Sequence, residues 1–380
     1  MRIAIDARMA ETRGGIGTYT RELISQLAEI DRKNQYFIIT NKKGNDGIGV
    51  NAANFLIIES LITRRHYFIK DLWHQLFLPF FLKINHIDIY FNPRYILTFF
   101  SGNSKLVVTI HDMIAFLRPE IWPGISGFRI RQYIKISSKR ADKILTVSNS
   151  AKDDIMRILN IAEEKIQVIH CGINKKLYRP DYNNTIKRKI TKKYGIDKKF
   201  IFAPGPMGRR KNHDRLIQAY SGLPNFIKEE YQLVITGEKK GCYQDLLKII
   251  SQLNLQEEII FPGFIPEEEM PVLVNAASLF IFPSLYEGFG IPLLEAMACG
   301  TPILASNVSS IPEVCGNAAL LFDPQSIQEM VDAIERLISD EVLRKQLVQR
   351  GFLRIKKYSW KNSAKALLDT FEEIYKVVNR

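Results

Sequence analysis

Tyr286-Glu287-Gly288-Phe289-Gly290-Ile291-Pro292-Leu293-Leu294-Glu295-Ala296-Met297-Ala298-Cys299-Gly300 is the stretch around which this chain is organised. It follows an apolar run, Ser278-Leu279-Phe280-Ile281-Phe282-Pro283, that predicts a buried strand. A Gly-rich turn comes next. Pro292 stands where a helix begins and Gly300 where it ends. A strand, a glycine turn and a helix start make a place for an anion, because unpaired N–H groups and the positive end of the helix dipole point the same way. Glu287 and Glu295 frame the turn. A phosphate site between two hydrogen-bond acceptors suits a sugar joined to a nucleotide. The plainer alternative is a strand-to-helix connection in which Gly288 and Gly290 serve only the turn and Glu295 is a solvated helix residue.

The rest of the chain supplies the context. Its 380 residues exceed one ordinary core and suit two. A hydrophobic content of 46% with 24% charged residues is that of a soluble globular protein. Cys171, Cys242, Cys299 and Cys315 show no metal or disulfide spacing, which fits a reducing cytosol. The opening Met1-Arg2-Ile3-Ala4-Ile5-Asp6 has an apolar part too short for a signal peptide, and no run of 18 apolar residues occurs. The net charge of +13 leans to the first half, where residues 1–170 hold 24 Lys/Arg against 16 Asp/Glu. An anionic partner follows: phosphate or a membrane surface rather than nucleic acid, since no nucleic-acid motif is present.

In the first half, the strand Arg2–Ala7 leads through Gly14-Gly15-Ile16-Gly17 into a helix with Tyr19, Leu23, Leu27 and Ile30 at helical spacing. This is the opening of a dinucleotide-type unit, with G-G-x-G in place of the full dehydrogenase fingerprint. Gly15 serves either a tight turn or a loop that approaches a phosphate or an acceptor hydroxyl. Strands follow at Tyr36–Thr40, Phe55–Ile58, Ile87–Phe91 and Lys105–Ile110, the last ending in His111-Asp112. A polar pair just past a strand's C-terminal end lies where open α/β sheets bind ligands, so His111 is a candidate site residue. The stretch 64–83 interleaves aromatic and aliphatic residues with Arg64, Arg65, Lys70 and Lys83. It is either an amphipathic helix against the core or an interfacial segment on anionic lipid. A basic helix is predicted over Phe128–Lys143, then a strand at Ile144–Val147, a helix at Ala151–Leu159 and a strand at Ile166–Ile169.

Residues 175–198 are polar and basic and predict an interdomain connection and the lead-in helix of a second domain. The strand Phe200–Ala203 then starts a second series and runs into Gly205-Pro206-Met207-Gly208-Arg209-Arg210-Lys211-Asn212, followed by a helix over His213–Ser221. Arg210 and Lys211 can neutralise a diphosphate, one as a planar fork and the other as a point charge. Further strands are predicted at Tyr231–Thr236, Ile259–Pro262, Thr301–Ala305 and Ala319–Phe322, with Ser309–Glu313 as a loop. Helices over Ser326–Ile338, Glu341–Lys357 and Asn362–Val378 close the chain.

The Glu287–Glu295 pair within Y-E-G-F-G-I-P-L-L-E-A-M-A-C-G resembles the carboxylate pair of retaining glycosyltransferases of the GT-B fold, family 4 (GT4). Gly14 to Gly17, Val107 to Asp112, Val147 to Ser150 and Gly205 to Asn212 agree with that family in order. The resemblance implies an α/β fold of two doubly wound Rossmann-like domains facing across a cleft. It implies an acceptor-side domain over 1–180, a nucleotide-sugar domain over 190–358, and a last helix over 359–380 that crosses back. Glu295 would accept from the ribose. Glu287, Gly288 and the backbone of Phe289, Gly290 and Ile291 would hold the donor sugar. Arg210 and Lys211 would bind the diphosphate, Phe264 and Ile265 would face the base, His111 would lie near the anomeric carbon, and Gly15 near the phosphates or acceptor. His111, Glu287 and Lys211 would be the catalytic set.

At one position the chain departs from the pattern. Pro206 stands where many relatives carry a basic residue, so Arg209 or Arg210 must supply that charge.

The implied reaction moves a hexose, with mannose favoured, from a GDP- or UDP-sugar to a hydroxyl of a lipid-linked or oligosaccharide acceptor of bacterial surface glycan. No cofactor is implied. With no D-x-D in the sequence, no metal is expected either. The expected location is the cytoplasm, with peripheral association at the inner face of the plasma membrane. The competing readings are an inactive sugar-nucleotide or membrane-surface sensor, a sugar-nucleotide epimerase and a glycan phosphorylase.

Overall fold

The computed structural model describes residues 1–41, 48–60, 73–239 and 241–378. They form two compact units: 1–172 together with the segment from Ser359, and 173–358. Most strand residues are buried, those of the central strands almost without exception, as expected of parallel strands covered on both faces.

The first unit holds β1 (Arg2–Asp6), β2 (Gln35–Asn41), β3 (Phe55–Ser60), β4 (Ile89–Asn92), β5 (Lys105–Thr109), β6 (Lys143–Thr146) and β7 (Ile166–Val168). Their order is β3-β2-β1-β4-β5-β6-β7, so the winding reverses between β1 and β4. The helix Gly15–Ile30 buries Tyr19, Leu23, Ile24 and Leu27, the stripe its spacing predicts. Against it packs the last helix, Trp360–Val378, with the rings of Tyr19 and Trp360 6.1 Å apart. The chain leaves and re-enters this unit at one place: a Cβ on Gly172 would lie 2.1 Å from the Trp360 nitrogen.

The second unit holds β8 (Lys199–Ala203), β9 (Tyr231–Thr236), β10 (Ile259–Gly263), β11 (Leu279–Phe282), β12 (Ile303–Ser306) and β13 (Leu320–Phe322), in the order β10-β9-β8-β11-β12-β13. Here the winding reverses between β8 and β11. Both sheets are therefore doubly wound, which is the fold class that the sequence implies.

Several details differ from the sequence expectation. Residues 173–180 belong to the second unit rather than closing the first, because Tyr178 and Pro180 pack on the helix Ile291–Cys299 and its capping Gly300. A helix at Tyr243–Gln252 lies where none is predicted, and Ile311–Cys315 is a short helix in place of a loop. The basic helix begins earlier, at Gly124. Of the stretch 64–83, residues 64–72, with Arg64, Arg65 and Lys70, lie outside the described residues. The remainder forms a π turn at Trp73–Phe77 and a helix at Leu78–Ile84.

Candidate active site

In a doubly wound sheet the crevice at the C-terminal ends of the two strands flanking the reversal is where ligands bind. In the second unit those strands are β8 and β11. The loop after β8 carries Arg209, Arg210 and Lys211; the loop after β11 carries Glu287. Because the strands are neighbours, the loops meet: the Leu285 N–H donates to the Arg210 carbonyl at 2.9 Å. Lys211 Nζ then donates to Glu287 Oε1 at 2.8 Å, and Arg210 forms an ion pair with Glu287 Oε2. Arg210 also donates to the Tyr286 carbonyl at 3.2 Å. Arg209 is exposed, so of the two arginines it is Arg210 that the structure brings to Glu287.

Lys211 is buried, with its ammonium 4.2 Å from the centre of the Phe282 ring and its stem lying over Gly205. A Cβ on Gly205 would come within 2.8 Å of Lys211 Cε, so a glycine at the loop's start makes room for the lysine. Burial opposes ionisation of Glu287, but Lys211 and Arg210 override it and hold the carboxyl at about 2. Burial pulls Lys211 below the usual lysine range against the attraction of Glu287. Two cations against one carboxylate leave the cluster net positive, and the start of the helix Ile291–Cys299 adds to that field.

The Glu287 loop is held from behind by two serines. The Ser309 hydroxyl accepts from the Glu287 N–H at 2.9 Å, and the Ser310 hydroxyl reaches the carbonyls of Glu287 at 2.9 Å and Phe289 at 3.0 Å. Nothing in the local sequence marks these serines as partners of Glu287. Gly290 caps the helix with φ +100°, a left-handed conformation that favours glycine. Gly288 and Phe289 are buried in this turn and Ile291 is half-buried. One turn into the helix lies half-buried Glu295. Burial pushes its carboxyl up to about 7, against the influence of the nearby Tyr178 hydroxyl. Phe264 and Ile265 follow β10, two strands from β8 on the same rim. Ile265 is buried and the Phe264 side chain exposed.

In the first unit, half-buried His111 follows β5. Its Nε2 lies 2.8 Å from the Pro93 carbonyl after neighbouring β4. A carbonyl only accepts, so Nε2 carries the proton and Nδ1 the lone pair. Burial brings the ring down to about 4, so it is neutral near pH 7. The Tyr19 ring meets it edge-on at 4.9 Å. A Cβ on Gly15 would meet nothing within 4 Å, whereas one on Gly17 would lie 1.9 Å from the Thr12 carbonyl oxygen. The fold therefore requires Gly17, while Gly15 is free to face a ligand. A buried network that the sequence does not mark lies beside them at the β1–β4 reversal. Arg8 is bidentate to Asp6 at 2.9 and 2.6 Å and meets His74 Nδ1 at 3.0 Å, while Tyr90 donates to Asp6 at 3.1 Å. Among the described residues, no group of three or more His, Cys, Asp or Glu is placed to hold a metal ion.

Known proteins share this architecture. Sucrose-phosphate synthase from Thermosynechococcus elongatus superposes with TM-score 0.78 at 20% identity, covering 99% of this chain and all of that one. WaaG, a glycosyltransferase involved in lipopolysaccharide biosynthesis, gives 0.76 at 16%, covering 97% and 99%. At these identities the likeness shows the fold, which is that of the GT-B glycosyltransferases. Residues 13–177 match the family described as Glycosyltransferase Family 4, and residues 186–354 that described as Glycosyl transferases group 1. The O-antigen chain mannosyltransferase RfbU of Salmonella typhimurium is 30% identical over 62% of this chain and 68% of its own. The serotype-specific mannosyltransferase WbdA of Escherichia coli is 30% identical over 74% of this chain and 36% of its own, so the chain spans about a third of WbdA's length. The chain belongs to the group 1, family 4 glycosyltransferases.

Proposed function

We propose that this glycosyltransferase moves mannose from a nucleotide-diphosphate sugar, with retention at the anomeric carbon, to a hydroxyl of a lipid-linked or polysaccharide acceptor in bacterial surface glycan synthesis. The observation that carries the donor reading is the Lys211–Glu287–Arg210 cluster at the β8–β11 reversal, with Glu295 eight residues beyond Glu287. Lys211 and Arg210 take the diphosphate, Glu287 the sugar hydroxyls and Glu295 the ribose. In the transfer, the bond from the anomeric carbon to the diphosphate oxygen breaks and the bond to the acceptor oxygen forms. The acceptor proton passes to the departing phosphate on the same face. The two cations stabilise the charge that grows on the leaving group. The mannosyl donor rests on the names of the relatives RfbU and WbdA.

An anionic membrane partner is supported by exposed apolar side chains of the first unit. Leu76, Phe77, Phe80 and Ile84 are exposed, as are Phe99, Phe100, Trp122, Ile125 and Phe128, with Lys83 and Lys135 exposed nearby in the chain. The loop bearing Phe99 is tied to the first of these segments by its N–H donating to Gln75 Oε1 at 2.7 Å. It is tied to the helix Gly124–Arg140 by Arg140 donating to the Thr98 carbonyl at 3.2 Å. Aromatic and aliphatic residues beside cations suit the boundary between head groups and acyl chains.

The deciding experiment is a thermal-unfolding panel with UDP-, GDP-, dTDP- and ADP-sugars, because a ligand bound only by the folded state raises the midpoint. A rise with GDP-mannose together with transfer to a glycan acceptor is expected. No rise with any of the four overturns the donor reading.

A further inference from the structure

The first sheet has a crevice of its own, at the C-terminal ends of β1 and β4, where its winding reverses. Half-buried Arg94 stands there, just past β4, and among the described residues it forms no ion pair. Its Nη2 donates to the Tyr95 hydroxyl at 2.8 Å. Its Nη1 reaches only the thioether of Met9, on the loop after β1, at 3.7 Å. A thioether is a weak acceptor, and Nε is buried with no partner at all. Asp6, the carboxylate at the end of β1, is already committed: it holds Arg8 through both oxygens and also accepts from Tyr90 and Asn92.

The loop that carries Arg94 is fixed in advance. The Asn92 side chain accepts from the Arg94 N–H at 3.0 Å and donates to the Ile96 carbonyl at 2.6 Å. The Pro93 carbonyl takes the His111 ring N–H at 2.8 Å. A guanidinium on a pinned loop has given up water here without gaining a counter-charge, a cost recovered when an oxyanion binds.

We propose that Arg94 is the anion-binding residue of the acceptor site, taking a phosphate or carboxylate group of an acidic acceptor. Each Nη keeps one N–H, and two such donors on one planar group suit two oxygens of one anion. Because His111 is tied to the preceding residue, an acceptor anchored here is held beside that histidine. The proposal deepens the reading of the first unit as the acceptor side and rests on it.

The test measures dissociation constants of the full chain for glucose 1-phosphate, glucuronic acid and methyl glucoside by NMR titration. Lys211 and Arg210 are both replaced by alanine, so that neither holds a phosphate. At least one acidic sugar should bind about tenfold more tightly than the neutral glycoside. A preference for glucose 1-phosphate assigns a phosphorylated acceptor, and one for glucuronic acid an acidic polysaccharide. Arg94→Met keeps the stem, removes the charge and should abolish the preference. If it does not fold, Arg94→Lys keeps the charge, loses the planar group and should reduce the preference about threefold. Equal binding of the three sugars, or a preference undiminished in the Arg94 variant, overturns the proposal. In the wild type, saturating GDP or UDP should leave binding of the preferred sugar unchanged. Its displacement by either nucleotide would put the anion in the donor site and also overturn the proposal. If neither nucleotide binds the wild type, the donor reading falls, while the Arg94 comparison still decides the anion site.

Discussion

Lys211 Nζ and Glu287 Oε1 lie 2.8 Å apart although 76 residues separate them in the chain. Arg210 meets the other oxygen of the same carboxylate. The cluster holds two cations on one carboxylate and so keeps a net positive charge. Preorganised charge of this kind needs no rearrangement of solvent when a leaving group departs.

Replacing Lys211 should therefore damage chemistry more than folding. Lys211→Ala is expected to lower kcat by 10²–10³, about 3–4 kcal/mol. It should cost less stability than the ~3–5 kcal/mol of a wholly orphaned buried charge, because Arg210 still faces Glu287. Arg209→Ala, at an exposed position, should leave transfer within about twofold of wild type. Steady-state transfer assays check both, and near-wild-type turnover in Lys211→Ala would remove its catalytic role.

The Glu287 carboxyl lies at about 2 in the folded chain against 4.5 when free. A depressed acid stabilises the fold above its unfolded value and loses that contribution as pH falls. Stability from this group should thus be full at pH 7 and vanish between about 4.5 and 2, a change of about 3 kcal/mol. Glu287→Gln should be less stable than wild type at pH 7, and the two should converge by pH 2. Denaturant unfolding across that range measures the gap, and a gap independent of pH would contradict the ion pairing.

The two loop glycines should separate structure from function. Gly17→Ala puts a methyl 1.9 Å from the Thr12 carbonyl oxygen and should strongly lower the melting temperature. Gly15→Ala meets nothing within 4 Å and should melt as wild type does while losing transfer activity. Full activity in Gly15→Ala would mean that no ligand approaches that loop.

For the membrane face, replacing exposed Phe77, Phe80 and Phe100 together with Ser should cut co-sedimentation with vesicles rich in anionic lipid by at least tenfold. Transfer to a soluble acceptor should be kept. Equal binding by both forms would rule out this face as the contact.

Transfer is also expected to continue in excess EDTA, with Lys211 and Arg210 taking the charge that a divalent ion would otherwise neutralise. Abolition of the rate by chelator, restored by added magnesium or manganese, would overturn that expectation.

Much of this was legible before any coordinates. Fully apolar segments such as Leu279–Phe282 dictate buried strands, and the Tyr19–Leu23–Leu27 spacing dictates a helix with one buried face. Pro292 and Gly300 bracket the helix that carries Glu295, and Gly205 to Asn212 marks a cationic turn. These are local matters of backbone preference and periodicity, which a sequence states directly.

Strand order alone set β8 beside β11 and so joined Lys211 and Arg210 to Glu287. Packing, not spacing, chose Arg210 over Arg209, required Gly17 rather than Gly15, and set Ser309 and Ser310 behind Glu287. It also brought Pro180, in what the sequence presents as a polar connection, against Gly300 at the end of the helix that carries Glu295. Each of these depends on which distant surfaces bury one another. Neighbours along the chain fix an element's type, but the pairing of charges across a sheet is fixed only when the whole core closes.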